Sequence, residues 1–559
     1  MSAIIPAVIG LVAMFSGYLL YSKFIAEKIY QLDPDFETPS HVLQDDVDYI
    51  PTNKFVLWGH HFTSVAGAAP IIGPAIAVIW GWLPAFIWVI FGTIFFAGVH
   101  DFGAIWASVR NRGTSVGALT GEVVSRRART LFMVVIFLLL LMVNAVFAVA
   151  ISKALVDTPS AVIPAWSAIA VAVVIGVLIY KVGVGVLWPT VVGTVILYAV
   201  IGVGELVPVE LPQTFFGLAQ RPQWILILFV YATIASLLPV WLLLQPRDHI
   251  NGVQLFIGLG LLFGAVFLAN PTIVAPALNS NVPDGTPPLV PLLFVTIACG
   301  AISGFHGLVA SGTTSKQLDK DTDARFVGYL GSTGEGMLAL VAIIAVTAGF
   351  ASTAEWEATY SAFGDHGIQT FVEGGSAVVA AGTGLSREFA ATLLAVMAVL
   401  FAGTTMDTGV RLQRFIVQEW GTIYNLPILQ NRYMATLLAV GACLALAFGA
   451  GGADGQGGML IWPLFGTTNQ LLAGLTLLVI SIMLVKLRRR YMFTLAPMVF
   501  VTVMSFLAAL YQLWDLFTSG KYFLGALDVL IVIAAIFVLL EATAAFSREK
   551  RAAEEAPSF

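Results

Sequence analysis

The sequence predicts an all-α polytopic membrane protein whose helices include deliberate breaks. Hydrophobic residues make up 58% of the 559 and charged residues only 11%, with a mean hydropathy of +0.91. A soluble globular domain carries about 25% charged residues. Apolar stretches long enough to cross a bilayer as a helix, about 18 residues or more, recur from end to end. One of them, His60 to Pro74, interrupts itself with Gly67, Pro70, Gly73 and Pro74. At membrane depth an unwound backbone survives only where protein encloses it, and many secondary transporters build a midplane site in this way.

Taken in order, about 15 spans satisfy the length criterion. They are expected at Ala3 to Ile25, Val56 to Trp80, Trp82 to Val109, Arg129 to Ser152, Val162 to Val182, Val186 to Leu206, Trp224 to Gln245 and Gly252 to Asn270. The remainder are Pro291 to Gly312, Glu335 to Phe350, Arg387 to Thr404, Met434 to Ala450, Met459 to Val485, Met492 to Trp514 and Lys521 to Phe546. The first lacks a basic leader and a small-residue cleavage site, so it reads as a retained span. Gln31 to Asn53 is an acidic loop, Asn270 to Pro288 and Ser352 to Ser386 are external loops, and Gly449 to Gly458 is a tight external turn. Cys299 and Cys443, the only cysteines, lie within apolar runs and indicate neither a disulfide framework nor a thiolate cluster.

Charge distribution sets the topology. If the spans alternate, all of the 27 Lys and Arg but Lys153, Arg221, Arg387 and Lys521 fall on one side. The positive-inside rule then places the N-terminus outside and the C-terminus in the cytoplasm. The basic clusters are topological anchors, and no nucleic-acid partner is expected.

Polar residues inside spans are costly in lipid and mark candidate sites. Gly67, Ala68 and Ala69 let backbone approach a ligand, while Pro70 and Pro74 free carbonyls. His100 and Asp101 form a pair able to relay a proton, and His60 and His61 sit at the mouth of the broken helix. Gly300, Gly304, Gly307 and Ser311 recur at helical spacing and suit close helix packing, and Ser311, Thr313 and Thr314 offer hydroxyls to a hard cation. Glu335, Asp407 and the run Trp462 to Gln470 complete the set, with Arg411 placed at i+4 to pair with Asp407. Each has an ordinary structural alternative: a packing kink, a satisfied polar pair or an interhelical hydrogen bond.

The segments Gly59 to Gly81, Asp101-Phe102, Leu243 to Asp248, Ala298 to Lys316, Asp407 to Arg411 and Leu464 to Gln470 resemble, in order and spacing, the signature blocks of the carbon starvation protein A family. The resemblance covers most of the chain from Pro51 to Arg490. It implies an inner-membrane importer of the amino acid–polyamine–organocation superfamily, induced under nutrient limitation, with peptides or pyruvate as proposed substrates. It also implies a LeuT-type core of two inverted repeats. Mapped here, residues 56–206 form the first repeat and 207–410 the second, flanked by a peripheral span and loop (1–55) and further C-terminal spans (411–559). Val56 to Trp80 opens the first repeat, and Trp224 to Gln245, broken at Leu237-Leu238-Pro239, is its expected partner. His100 stands where the family pattern has Gln, and the chain is shorter than the long enterobacterial members.

The expectation is a secondary transporter for a small carboxylate-bearing nutrient, coupled to H⁺ or Na⁺. Substrate is expected at Gly67, Ala68, Ala69, Pro70, Gly73, Pro239, Ser303, Phe305, His306, Asn469 and Gln470, and ion coupling at His100, Asp101, Ser311, Thr313, Thr314, Glu335 and Asp407. No cofactor or metal is expected, and the partners are the substrate, the coupling ion and the lipid bilayer. The alternatives are a passive channel or an intramembrane metal enzyme; the latter has no HExxH-type spacing to support it.

Overall fold

The computed structural model describes residues 1–45, 48–239, 241–364, 366–450 and 457–555. Val240 and residues 451–456 of the expected external turn lie outside them. Helices dominate, because apolar side chains satisfy the bilayer and the helix satisfies its own backbone. We number the principal ones α1 (Ile4–Tyr30), α2 (Lys54–Ala66), α3 (Ala69–Trp80), α4 (Trp82–Arg110), α5 (Arg126–Asp157), α6 (Pro159–Val182), α7 (Leu187–Leu206), α8 (Gln220–Leu237) and α9 (Leu244–Ala269). There follow α10 (Leu289–Thr296), α11 (304–317), α12 (Arg325–Ala348), α13 (Ile368–Thr383), α14 (Arg387–Ile423), α15 (Arg432–Gly449), α16 (Gly457–Lys486), α17 (Met492–Thr518) and α18 (Tyr522–Glu555).

Among the described residues, 12 helices are long and apolar enough to cross a membrane, or 13 if α2 and α3, bent by 44° at their junction, count as one span. Two of the expected spans lie outside this count. One is α8, whose first turn carries Gln220, Arg221 and Gln223. The other is the stretch 289–317, which unwinds between α10 and α11 over residues 297–303.

That unwound stretch corrects one expectation. Pro239 does not break a single span: α8 ends at Leu237, and Gln245 belongs to the separate helix α9. A proline stops a helix as readily as it kinks one. The second broken span is α10–α11, and it runs against the first. Thr52, just before α2, bridges Leu318, just after α11. At the opposite end the Trp80 indole N–H donates to Pro287 O at 3.0 Å. The helices that follow are likewise opposed, since α4 ends where Arg110 pairs with Asp321, close to where α12 begins. These four elements pack on one another, and α5 and α14 lie together against them as the two longest buried helices.

Candidate functional site

The first break is held open by Gly67 (φ 50°, ψ −157°), a backbone region that side chains disfavour. A Cβ there would stand 2.6 Å from Thr405 Oγ1 of α14. Gly73 meets the second broken span, since a Cβ on it would lie 2.5 Å from Thr296 O. The expected neighbour across this break, Leu237 to Pro239, is therefore not what the structure places there. Pro239 is exposed at the end of α8, while Thr405, Phe147 and Phe465 close on Gly67 from α14, α5 and α16. Between the two breaks remains an apolar void of about 10 Å³, bordered by Ala66, Gly67, Ala69, Cys299, Phe305 and Thr405.

The second break is organised by Asn469. Its Oδ1 accepts from Phe305 N at 2.9 Å, capping the free N–H groups of α11. Its Nδ2 lies 3.0 Å from Ser303 Oγ and 3.2 Å from Cys299 Sγ. Gln470 donates to Phe294 O in α10. Both amides, expected at the substrate, are thus engaged with the unwound span.

Directly beneath lies a buried polar chain. His100 Nδ1 is 2.7 Å from Asp101 Oδ1, Asp101 Oδ2 is 2.9 Å from His306 Nδ1, and His306 Nε2 is 3.2 Å from Glu335 Oε2. Ser332 Oγ donates to Asp101 Oδ2 at 2.6 Å. The four titratable residues come from α4, α11 and α12, and none is more than 1% exposed.

The hydroxyls expected at a cation site bond within their own helix and to neighbouring groups. Ser311 and Thr313 donate one turn back, to Gly307 O at 2.6 Å and Val309 O at 2.9 Å, as hydroxyls within helices commonly do. Ser311 also accepts from Val116 N, and Thr314 Oγ1 lies 2.9 Å from His61 Nδ1. None of these contacts is with Gly67 to Ala69.

Asp407 also differs from expectation. Helix α14 runs on to Ile423, and Asp407 pairs with Arg247 of α9 while accepting from Tyr231 Oη at 2.7 Å. Arg411 instead donates to Ala235 O and Leu238 O, the last carbonyls of α8. A helix C-terminus attracts a cation, so this competes well with a local pair.

A cavity of about 330 Å³ opens at the end of the molecule that carries Lys316. Asp48, Lys316, Arg411 and Glu419 line it, and His60 and Ser64 of α2 form part of its wall. Asp248 Oδ2 is 2.9 Å from His60 Nδ1 and accepts from Ser64 Oγ at 3.2 Å. Arg247 and Asp248 are site residues that sequence reasoning does not single out, although the block Leu243 to Asp248 contains them. A lone Arg-Asp dipeptide reads as a helix-end feature until its distant partners are known.

Two broken spans of opposite direction, enclosed by continuous helices and bordered at one end by a cavity, define a membrane transport protein of the inverted-repeat kind. Solved structures agree on the fold: a single-residue mutant of the Eremococcus coleocola manganese transporter superposes with a TM-score of 0.53 at 14% identity, covering 91% of this chain and 99% of that one. The family model for carbon starvation protein CstA matches residues 2–354 and 350–508, and the chain belongs to that family. It is 33% identical to the peptide transporter CstA of Campylobacter jejuni, over 90% of this chain and 79% of that protein. It is 31% identical to the Escherichia coli pyruvate/proton symporter BtsT, over 87% and 78% respectively.

Proposed function

We propose that this chain imports a short peptide, in preference to pyruvate, across the cytoplasmic membrane by proton symport, as part of a response to carbon starvation. The observation that carries the reading is the charge pattern of the 330 Å³ cavity, whose volume suits a small ligand. Lys316 and Arg411 bring positive charge to its wall. Asp48, and Glu419 through the oxygen not paired with Arg129, offer acceptors to an ammonium group. A zwitterion uses both signs, whereas pyruvate uses one. The peptide and pyruvate relatives support the substrate class.

The proton carrier we assign is His60 with Asp248, which borders the cavity and can pick up or release a proton there as the site opens. His100 and Asp101, the pair expected from sequence, are fully buried and do not line the cavity. The pyruvate/proton symporter relative favours the proton over sodium. The cavity end is taken as cytoplasmic, from the basic residues gathered there.

Proteoliposomes test the reading. A labelled dipeptide accumulates under an inward proton gradient and not under a sodium gradient, and labelled pyruvate accumulates less. His60→Gln loses proton-driven accumulation and keeps dipeptide exchange. Accumulation driven by sodium alone, or a His60→Gln variant that still concentrates substrate on protons, refutes it.

A further inference from the structure

Three donors, a soft thiol, a borderline imidazole and a hard carboxylate, converge where the second break meets α12. Cys299 Sγ, one His306 ring nitrogen and one Glu335 carboxylate oxygen lie within 4.8 Å of one another, all buried. Cys299 comes from the unwound stretch 297–303, His306 from the first turn of α11, and Glu335 from the middle of α12. We infer that these three side chains bind one divalent transition-metal ion of the zinc class, pinning the unwound stretch of the second broken span to α12. The site stands independently of the transport reading.

Unpartnered buried atoms are the first reason. Asp101 and Glu335 bring two carboxylates to one imidazole, His306, and all three side chains are buried. His306 Nε2 and Glu335 Oε1 have no hydrogen-bond partner among the described residues. Buried polar atoms are normally satisfied, so two left open side by side call for a ligand.

The shape of the contacts is the second reason. His306 Nε2 and Glu335 Oε2 approach to 3.2 Å without hydrogen-bond alignment. Two ligands flanking a common ion at about 2.0–2.2 Å each stand at such a separation. A site that only carried a proton would have no use for a thiol, whereas thiolate, imidazole and carboxylate together select zinc-like ions.

The surroundings are the third. A metal-bound histidine commonly gives its other ring nitrogen to a carboxylate, and His306 Nδ1 faces Asp101 Oδ2 at 2.9 Å. Asp101 is itself fixed by Ser332 and His100. Cys299 Sγ receives the Asn469 amide at 3.2 Å and lies 3.4 Å from Ser303 Oγ, which fixes its position. His306 and Cys299 therefore each have their own support. No short motif announces the site, because its donors come from three different local conformations.

Cobalt is the probe. Full-length protein is purified from cells supplied with Co²⁺, and its metal content and optical spectrum are measured. About one cobalt per chain is expected, with a thiolate-to-metal charge-transfer band in the near ultraviolet, displaced on adding Zn²⁺. Cys299→Ser abolishes the band, and Cys443→Ser leaves it. Asp101→Asn, which removes no ligand, lowers cobalt affinity about 10–100-fold. His60→Gln keeps the metal and the band whatever its effect on transport, so this site and the proton carrier succeed or fail separately. Wild-type protein without the band, or a band that survives in Cys299→Ser, overturns the inference. Should Cys299→Ser fail to fold, the wild-type and Cys443→Ser spectra decide between them.

Discussion

At the residue scale, Gly67 and Asp407 show two ways in which single side chains hold this molecule. Gly67 combines a left-handed φ with a clash that any Cβ would make against Thr405 Oγ1. The strain alone costs about 1–3 kcal/mol. Gly67→Ala should lower transport severely, and adding Thr405→Ala should restore part of it by removing the clash while the backbone strain remains. Equal activity of the single and double variants would show that Thr405 is not the obstacle. Asp407 is different, because its cost is electrostatic. It is fully buried against Arg247 and Tyr231, and removing one partner of a buried pair costs about 3–5 kcal/mol. Asp407→Ala should therefore unfold at distinctly lower temperature in detergent. Asp407→Leu with Arg247→Met should recover most of the loss, since an apolar pair leaves no buried charge.

At the element scale, the two broken spans differ in how plainly the sequence announces them. Gly67, Pro70, Gly73 and Pro74 break the first with residues that have few other uses in an apolar helix. The second unwinds at Cys299, Gly300, Ala301 and Ser303, and small residues at helical spacing look the same in a packing seam as in a break. What tips the balance is Asn469, from a helix far along the chain, which supplies the cap and bonds that an unwound backbone needs. The same reasoning explains Arg411, whose near neighbour in sequence is Asp407 but whose best acceptors are the carbonyls ending α8. Local rules find local partners. Asn469→Ala should thus destabilise the break more than Gln470→Ala, because it removes the bonds to Phe305 N, Ser303 and Cys299 together. Hydrogen exchange at residues 297–306 would register the difference, and equal protection in the two variants would contradict it.

At the scale of the whole molecule, the class was legible and the interior was not. Composition and the recurrence of apolar runs sufficed for a polytopic helical protein, since the bilayer imposes those features on any chain that crosses it. The partnership of α9 with α2 and α14, through Asp248 with His60 and Arg247 with Asp407, was not, because it depends on which faces meet. Sidedness offers a direct test. Cys299 and Cys443 are both buried, so native thiols should give little background to an impermeant reagent. Thr313→Cys, on the cavity wall, should react from the cytoplasmic face only, and Ser2→Cys, beside Asn270, from the opposite face only. Labelling of both from one face would reverse or void the assigned orientation.

The bridge between Thr52 and Leu318 joins the beginning of one broken span to the end of the other, and Lys54 with Asp323 lies beside it. In circuit terms the bridge is a tie-bar between the two half-helices on that side. If they are thrown together, a voltage-clamped bilayer holding the protein should record no steady current.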